Sequence, residues 1–257
     1  MTDRSPAALV EHRLDTLRAL RDAPGSKTTL VDRTDVSRST VDRSLRDLST
    51  VGFVNRTADG YRLTRLGELA LDEHERRTRR IDAIADAASL FGEVDIGIDV
   101  DPAVFDGATF VEATPPAPHR PVERVRTLVE GATHVSVYAG RLLARHARIY
   151  HDRVVDEAMS GAFVATDGVL ERLSEIRPED LREAVDMGRV AVRLTGQDAP
   201  VTVILAETPD GPRMGLVAYR DNTPRGFVGN DDPAATRWAR DFHARVWDAA
   251  TPFDPRG

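Results

Sequence analysis

Val10, Leu14, Leu17 and Leu20 recur at helical spacing, which predicts an amphipathic helix over residues 7–22. Ala23-Pro24-Gly25 ends it. A second, short helix is expected over residues 28–34. The tight link Asp35-Val36 then leads into SRSTVDRSLRDL, residues 37–48. There Val41, Leu45 and Leu48 form one dry stripe, and Ser37 suits the N-cap. After Gly52 the period changes. FVNRT and YRLT are short β-like runs separated by Ala58-Asp59-Gly60, a turn-forming sequence, so a β-hairpin is expected. From residue 64 to about 90 the pattern is again helical and highly charged, with EHERRTRR at its centre. We read this segment as a connector and dimer helix.

A second region opens near residue 93. FVEAT reads as a strand and runs into PPAPHRP, a stiff proline-rich link. VERVRTLVEG reads as a helix and HVSVYAG as a strand. Residues 141–160 are expected to be helical, AFVAT a strand, and residues 168–187 one long helix. RVAVRLT, VTVILAE and MGLVAYR are three more strands. Residues 233–250 close the chain as a helix, with Asp232 as cap and Pro233 in its first turn. Strands alternating with helices imply an α/β arrangement. The chain therefore divides into a head over residues 1–65, a helical connector over 66–92 and an α/β body over 93–257, a two-domain α+β/α/β protein.

Composition sharpens this. The 257 residues include no cysteine, so disulfides and thiolate metal sites are excluded and a reducing, cytoplasmic setting is expected. No apolar run is long enough to span a membrane. Lys27 is the only lysine. An acidic, arginine-rich chain with a single lysine suggests a salt-adapted, halophilic source. Residues 1–80 hold 16 Lys+Arg and 13 Asp+Glu, a net of +3; the remainder holds 19 and 29, a net of −10, within a whole-chain charge of −7. A mildly basic head on an acidic body is the distribution expected if nucleic acid is contacted by the head alone.

Helix, helix, turn, helix, hairpin is the order of a winged helix-turn-helix, in which the second motif helix enters the major groove. One face of that helix must pack inward while the other carries short donors and arginines. Ser37, Arg38, Ser39, Thr40 and Arg43 lie largely off the Val41/Leu45/Leu48 stripe, and Thr28 opens the preceding helix. Hydroxyls at a helix start suit phosphate oxygens, and Arg38 and Arg43 suit guanine edges. Arg56 and Arg62 flank the wing turn, within expected reach of phosphate or the minor groove. Asp42 is the discordant residue: it either accepts from a cytosine amino group or pairs with Arg38 or Arg46.

TTLVDRTDVSRSTVDRSLRDLSTVGFV resembles the DNA-binding signature of prokaryotic winged-helix regulators. It departs from them at Asp35, where such turns usually carry glycine; aspartate tolerates a left-handed backbone better than most residues. ATPPAPHRPVERV, LREAVDMGRVAVRL and GLVAYRDNTPRGFVGNDDPAATRWARDFHARVW together resemble the effector domain of archaeal regulators named for methanogenesis or filamentation, a family common in halophilic archaea. That likeness covers most of residues 105–250. More distantly, the body resembles sugar-responsive archaeal regulators. The resemblance implies a DNA-binding transcriptional regulator with a sensing C-terminal domain. It implies no ligand.

The body carries no enzyme signature. Its histidines make no HExxH spacing, and His146 and His151, five apart, do not share a helix face cleanly. There is no GxSxG elbow or phosphate loop, and a lone lysine at position 27 leaves no place for a His-x-Lys motif. No metal or cofactor is expected. Ligands of open α/β sheets gather beyond the C-terminal strand ends. That edge is expected at Tyr138-Ala139-Gly140-Arg141 and at Thr166-Asp167-Gly168, with His119-Arg120 closing over it. Candidate effector contacts are thus His119, Arg120, Tyr138, Gly140, Arg141 and Asp167. Asn230-Asp231-Asp232-Pro233 reads as a helix cap before a cation site, and Trp238 and Trp247 as core or interface. The expected partners are double-stranded promoter DNA, a second copy of the chain and a small-molecule effector. The alternative is a winged-helix interaction module that never touches DNA.

Overall fold

The computed structural model describes residues 5–92, 94–142, 144–157, 159–176 and 178–253. They form two compact units, divided between Ile81 and Asp82.

In the first unit the expected opening helix is broken. α1 (Pro6–His12) and α2 (Leu14–Asp22) meet at Arg13, whose φ of −123° leaves the helical region. The apolar spacing is continuous across this break, which is why periodicity alone joins the two. α3 (Lys27–Arg33) and α4 (Arg38–Thr50) follow. α4 starts where its cap requires: Ser37 Oγ accepts from the Thr40 amide at 3.3 Å. It stops at Gly52, whose φ of +76° lets the Gly52 and Phe53 amides bond back to Ser49 and Leu48. Asp35 does not have positive φ. The α3–α4 link therefore makes no left-handed demand there, and the missing glycine costs nothing.

β1 (Val54–Thr57) and β2 (Gly60–Leu63) pair antiparallel around the two-residue turn Ala58-Asp59. A third segment joins them: Gly25 exchanges backbone hydrogen bonds with Tyr61 at 3.0 and 2.9 Å. This approach needs Gly60, because a Cβ there would sit 2.4 Å from the Gly25 carbonyl oxygen. Leu17, Leu20, Leu30, Val41, Leu45, Leu48 and Leu63 fill one core. Burying seven such side chains, at roughly 1.5–3 kcal/mol each, is what holds short helices that would not persist alone. The charged segment forms α5 (Arg65–Phe91) as expected, and the division between the units falls inside it.

The second unit is built on an eight-stranded sheet of order β10-β6-β5-β4-β7-β8-β9-β3. β4 (His134–Ala139), β5 (Ser160–Ala165) and β6 (Val190–Leu194) are parallel. β7 (Val201–Thr208), β8 (Gly211–Arg220), β9 (Thr223–Asn230) and β3 (Thr109–Glu112) run antiparallel to their neighbours, as does the short β10 (Thr251–Pro252). The sheet is thus mixed rather than the parallel one that simple alternation suggests. β9 was not anticipated, since PRGFVGN is rich in glycine and proline. The signal for it is the preceding Asp221-Asn222, both at positive φ, a hairpin turn between β8 and β9.

Helices cover both faces. α6 (Arg120–Val129), α7 (Ala144–Glu157), α8 (Asp167–Ile176) and α9 (Pro178–Asp186) lie on one side, and α10 (Pro233–Ala249) on the other. β7 shows why its run is continuously apolar: Val201, Val203 and Leu205 enter one core and Ile204 and Ala206 the opposite one. The single helix expected over 168–187 is two, α8 and α9, separated at Arg177, which lies outside the described residues. So do Leu143 and Ala158 of the segment expected to be helical over 141–160. The side chain of His146 is likewise not described. No helix among the described residues is long and apolar enough to cross a membrane.

Candidate nucleic-acid interface and ligand cleft

α4 is anchored on its inner face and open on its outer one. Val41 and Leu48 are fully buried and Leu45 nearly so. Ser44, also buried, satisfies its hydroxyl by donating to the Thr40 carbonyl at 2.8 Å. Arg13 ties the far end, donating to Asp47 at 2.9 Å. On the outer face Ser37, Arg38, Ser39 and Arg43 are exposed, while Thr40 is half-buried. Arg38 and Arg43 make no ion pair among the described residues. The hydroxyls of Ser37, Ser39 and Thr40 form a cluster with 2.9 Å spacings, so Ser37 is already engaged in capping. Thr28 is exposed on the first turn of α3.

Asp42 pairs with neither Arg38 nor Arg46. Its carboxylate meets Lys27 Nζ at 2.7 Å. That bond, with Lys27, Arg38 and Arg46 all nearby, holds the Asp42 carboxyl below the usual carboxylate range, against the opposing effect of desolvation. Sequence reasoning missed this partner, although Lys27 is conspicuous as the only lysine.

The wing is also more specific than expected. Asn55 pairs with Arg62, and Arg56 with Tyr61. Paired residues of an antiparallel ladder share a face and successive residues alternate, so Arg56 and Arg62 project from opposite faces of the hairpin. Both are exposed.

In the second unit the C-terminal ends of β4, β5 and β6 open into a cleft of about 610 Å³ lined in part by Gly140, Arg141, Asp167, Thr195, Asp198 and Asn222. This is the predicted edge, and it brings together three of the six candidate contacts: Gly140, Arg141 and Asp167. Arg141 is not a free cation. It forms a close ion pair with Asp198, which holds the Asp198 carboxyl below its usual range, and it donates to the Gly140 carbonyl at 2.7 Å. Tyr138 lies under the opposite face, fully buried; its hydroxyl donates to the Gln197 carbonyl at 2.9 Å, and burial pushes its pKa up to about 12. Strand alternation puts it there, since Val137 and Ala139 face the other core. His119 and Arg120, at the start of α6, do not line the cleft, and His119 pairs with Glu123 at 3.5 Å.

Two further expectations concern α10. Asp232 caps it, accepting from the Ala234 amide at 2.7 Å, and the Asn230 amide donates to the carbonyls of Ala103, Val104 and Asp106. The Asn-Asp-Asp run is thus a cap and a loop clamp. Trp238 stacks on Phe242, and Trp247 lies under the Arg193 guanidinium at 4.5 Å. No group of three or more acidic or histidine side chains among the described residues is placed to hold a metal ion.

Comparison with known proteins gives two family matches. Residues 2–86 match the HVO_A0261 N-terminal domain, and residues 118–249 the middle domain of the methanogenesis regulatory protein FilR1. No curated protein matches the chain. Among solved structures, TrmBL2, described as an archaeal chromatin protein with a novel mode of DNA binding, is similar over 98% of this chain and 100% of its own, at 13% identity and a TM-score of 0.44. NucT from Helicobacter pylori covers 57% of this chain and 98% of its own at 11% identity and a TM-score of 0.41. Nuc from Salmonella typhimurium, a phospholipase D family member, covers 57% and 98% at 10% identity and a TM-score of 0.42. Likenesses at scores this low establish neither a shared fold nor a shared function. The family match over residues 118–249 spans half of the chain, and on it the chain belongs to the family of the archaeal methanogenesis regulatory protein FilR1.

Proposed function

We propose that this protein is a sequence-specific DNA-binding transcription regulator that acts as a homodimer and answers to a small molecule held by residues 82–257. The observation that carries the DNA reading is the outer face of α4. It presents two unpaired arginines and a hydroxyl cluster, on a helix fixed from behind by Val41, Leu45 and Leu48. α4 enters the major groove, Arg38 and Arg43 read base edges, and Thr28, Ser37, Ser39 and Thr40 approach phosphates. The wing brings one of Arg56 and Arg62 to the backbone.

Leu66, Leu69, Ile81 and Ile84 of α5 are exposed, which favours α5 as the surface joining two copies. Paired heads then meet half-sites about 34–36 Å apart. An effector that binds two arrangements of the dimer unequally shifts the balance between them. The test is salt titration of binding to promoter fragments against scrambled fragments. A sequence preference that persists as salt rises supports the reading; a folded chain with no preference at any salt sinks it.

A further inference from the structure

α7, α8 and α9 roof a second cavity, of about 80 Å³, against β5 and β6. Its walls are almost wholly apolar: Val154, Phe163, Val169, Leu173 and Val192 are among them. Tyr150 also lines it. This side chain is 4% exposed, its ring meets Phe163 edge-on at 5.4 Å, and its hydroxyl has no hydrogen-bond partner. Buried hydroxyls almost always have one, because leaving water without a replacement partner costs free energy. Phenylalanine would fill the ring's place without that cost, so the hydroxyl calls for a partner that the chain does not supply. Burial pushes the Tyr150 pKa well above the usual phenol range, so the group is neutral. It therefore favours an uncharged partner. The cavity shares Leu142 and Val169 with the polar cleft at the strand ends, which provides an entrance on the side where α/β sheets take ligands.

We infer that this cavity is the effector site, and that it takes a small, uncharged, mainly apolar molecule whose single carbonyl or hydroxyl oxygen bonds Tyr150. Its volume is about half the ~150 Å³ of a cavity that takes up benzene, which sets the ligand at roughly five or six non-hydrogen atoms. The effector role rests on the regulator reading above; occupancy of the cavity does not. His151 of α7, at the rim, bonds Glu183 of α9 at 3.1 Å, so a ligand that parts these helices acts on a defined contact.

The test uses cyclopentanone and methylenecyclopentane, which share a shape but differ in the acceptor oxygen, titrated into the full chain and followed by the methyl NMR signals of Val154, Leu173 and Val192. The ketone is expected to bind saturably, about ten-fold tighter than the hydrocarbon, as expected for one buried hydrogen bond. Tyr150→Phe should fold normally and erase that ratio, and Ala184→Leu, which fills the cavity from α9, should abolish saturable shifts. Methyl signals that do not respond to either compound, or a ketone preference that survives Tyr150→Phe, overturn the proposal. No DNA is present, so failure here is distinct from failure of the promoter titration.

Discussion

Lys27, the only lysine in the chain, opens α3 and reaches 2.7 Å to Asp42 on the outer face of α4. The acid in the middle of the proposed reading face is thereby neutralised from within the protein. Asp42→Ala should leave the fold intact, because the pair is exposed and screened by salt. It releases Lys27 and removes a negative charge beside phosphate. Affinity for unrelated DNA should rise and the salt slope should steepen by about one. Lys27→Ala should do the reverse, weakening binding to every sequence. Both are read by salt titration; matching slopes for the two variants and the parent would mean that α4 does not face DNA.

The same pair sets a pH limit. The Asp42 pKa is lower in the folded chain than in the unfolded one, so its contribution is present above the ordinary carboxylate pKa and fades as pH falls through the lowered folded value. Base preference at the α4 face should therefore be constant from neutral down to mildly acidic conditions. It should change only below the ordinary aspartate range, about pH 4. Footprinting across that range checks it, with Asp42→Asn as the control that shows no pH step.

Arg38→Ala and Arg43→Ala should each cost about 1–3 kcal/mol at one base position and relax preference there. Arg56→Ala and Arg62→Ala should behave differently from one another, because opposite faces of the hairpin cannot both meet the duplex. One should weaken binding uniformly across sequences, and the other should have little effect. Binding-site selection with each variant separates these outcomes.

Leu45→Ala removes a nearly fully buried side chain from the core under α4 and should destabilise the first unit by about 2–5 kcal/mol. Both tryptophans, Trp238 and Trp247, belong to the second unit. Circular dichroism should show early melting of helix while tryptophan emission keeps its native transition. Loss of both signals together would mean that the units do not unfold separately.

His243 is buried, its ring bonds the Ala162 carbonyl at 3.0 Å, and desolvation lowers its pKa. The unfolded chain takes up the proton first, so stability is complete above the unfolded histidine value and falls as pH drops below it. Denaturation followed between about pH 8 and about pH 5 should show this loss, and His243→Gln should flatten it.

Local elements were legible where one turn or one ladder decides them. Ser37 as cap, the α4 stripe, the wing and the α10 cap at Asp232 depend on residues close in the chain, and each stands where spacing and side-chain chemistry put it. The predicted ligand edge was legible too, because strand ends follow from strand order. The misreadings share another cause. Periodicity runs unbroken through Arg13 although the backbone does not, and β9 hides among glycines that only a neighbouring strand explains.

The sequence by itself determined which faces are dry, where helices begin and which groups are present for chemistry. Tertiary structure alone decided how those groups are spent. Lys27 and Asp42 are 15 residues apart and Arg141 and Asp198 are 57 apart. Nothing local announces either pair, because an ion pair is a matter of distance in space. The Tyr150 hydroxyl is the converse case: the sequence shows a tyrosine, and only the packing of α7 to α9 shows that no part of the chain reaches it.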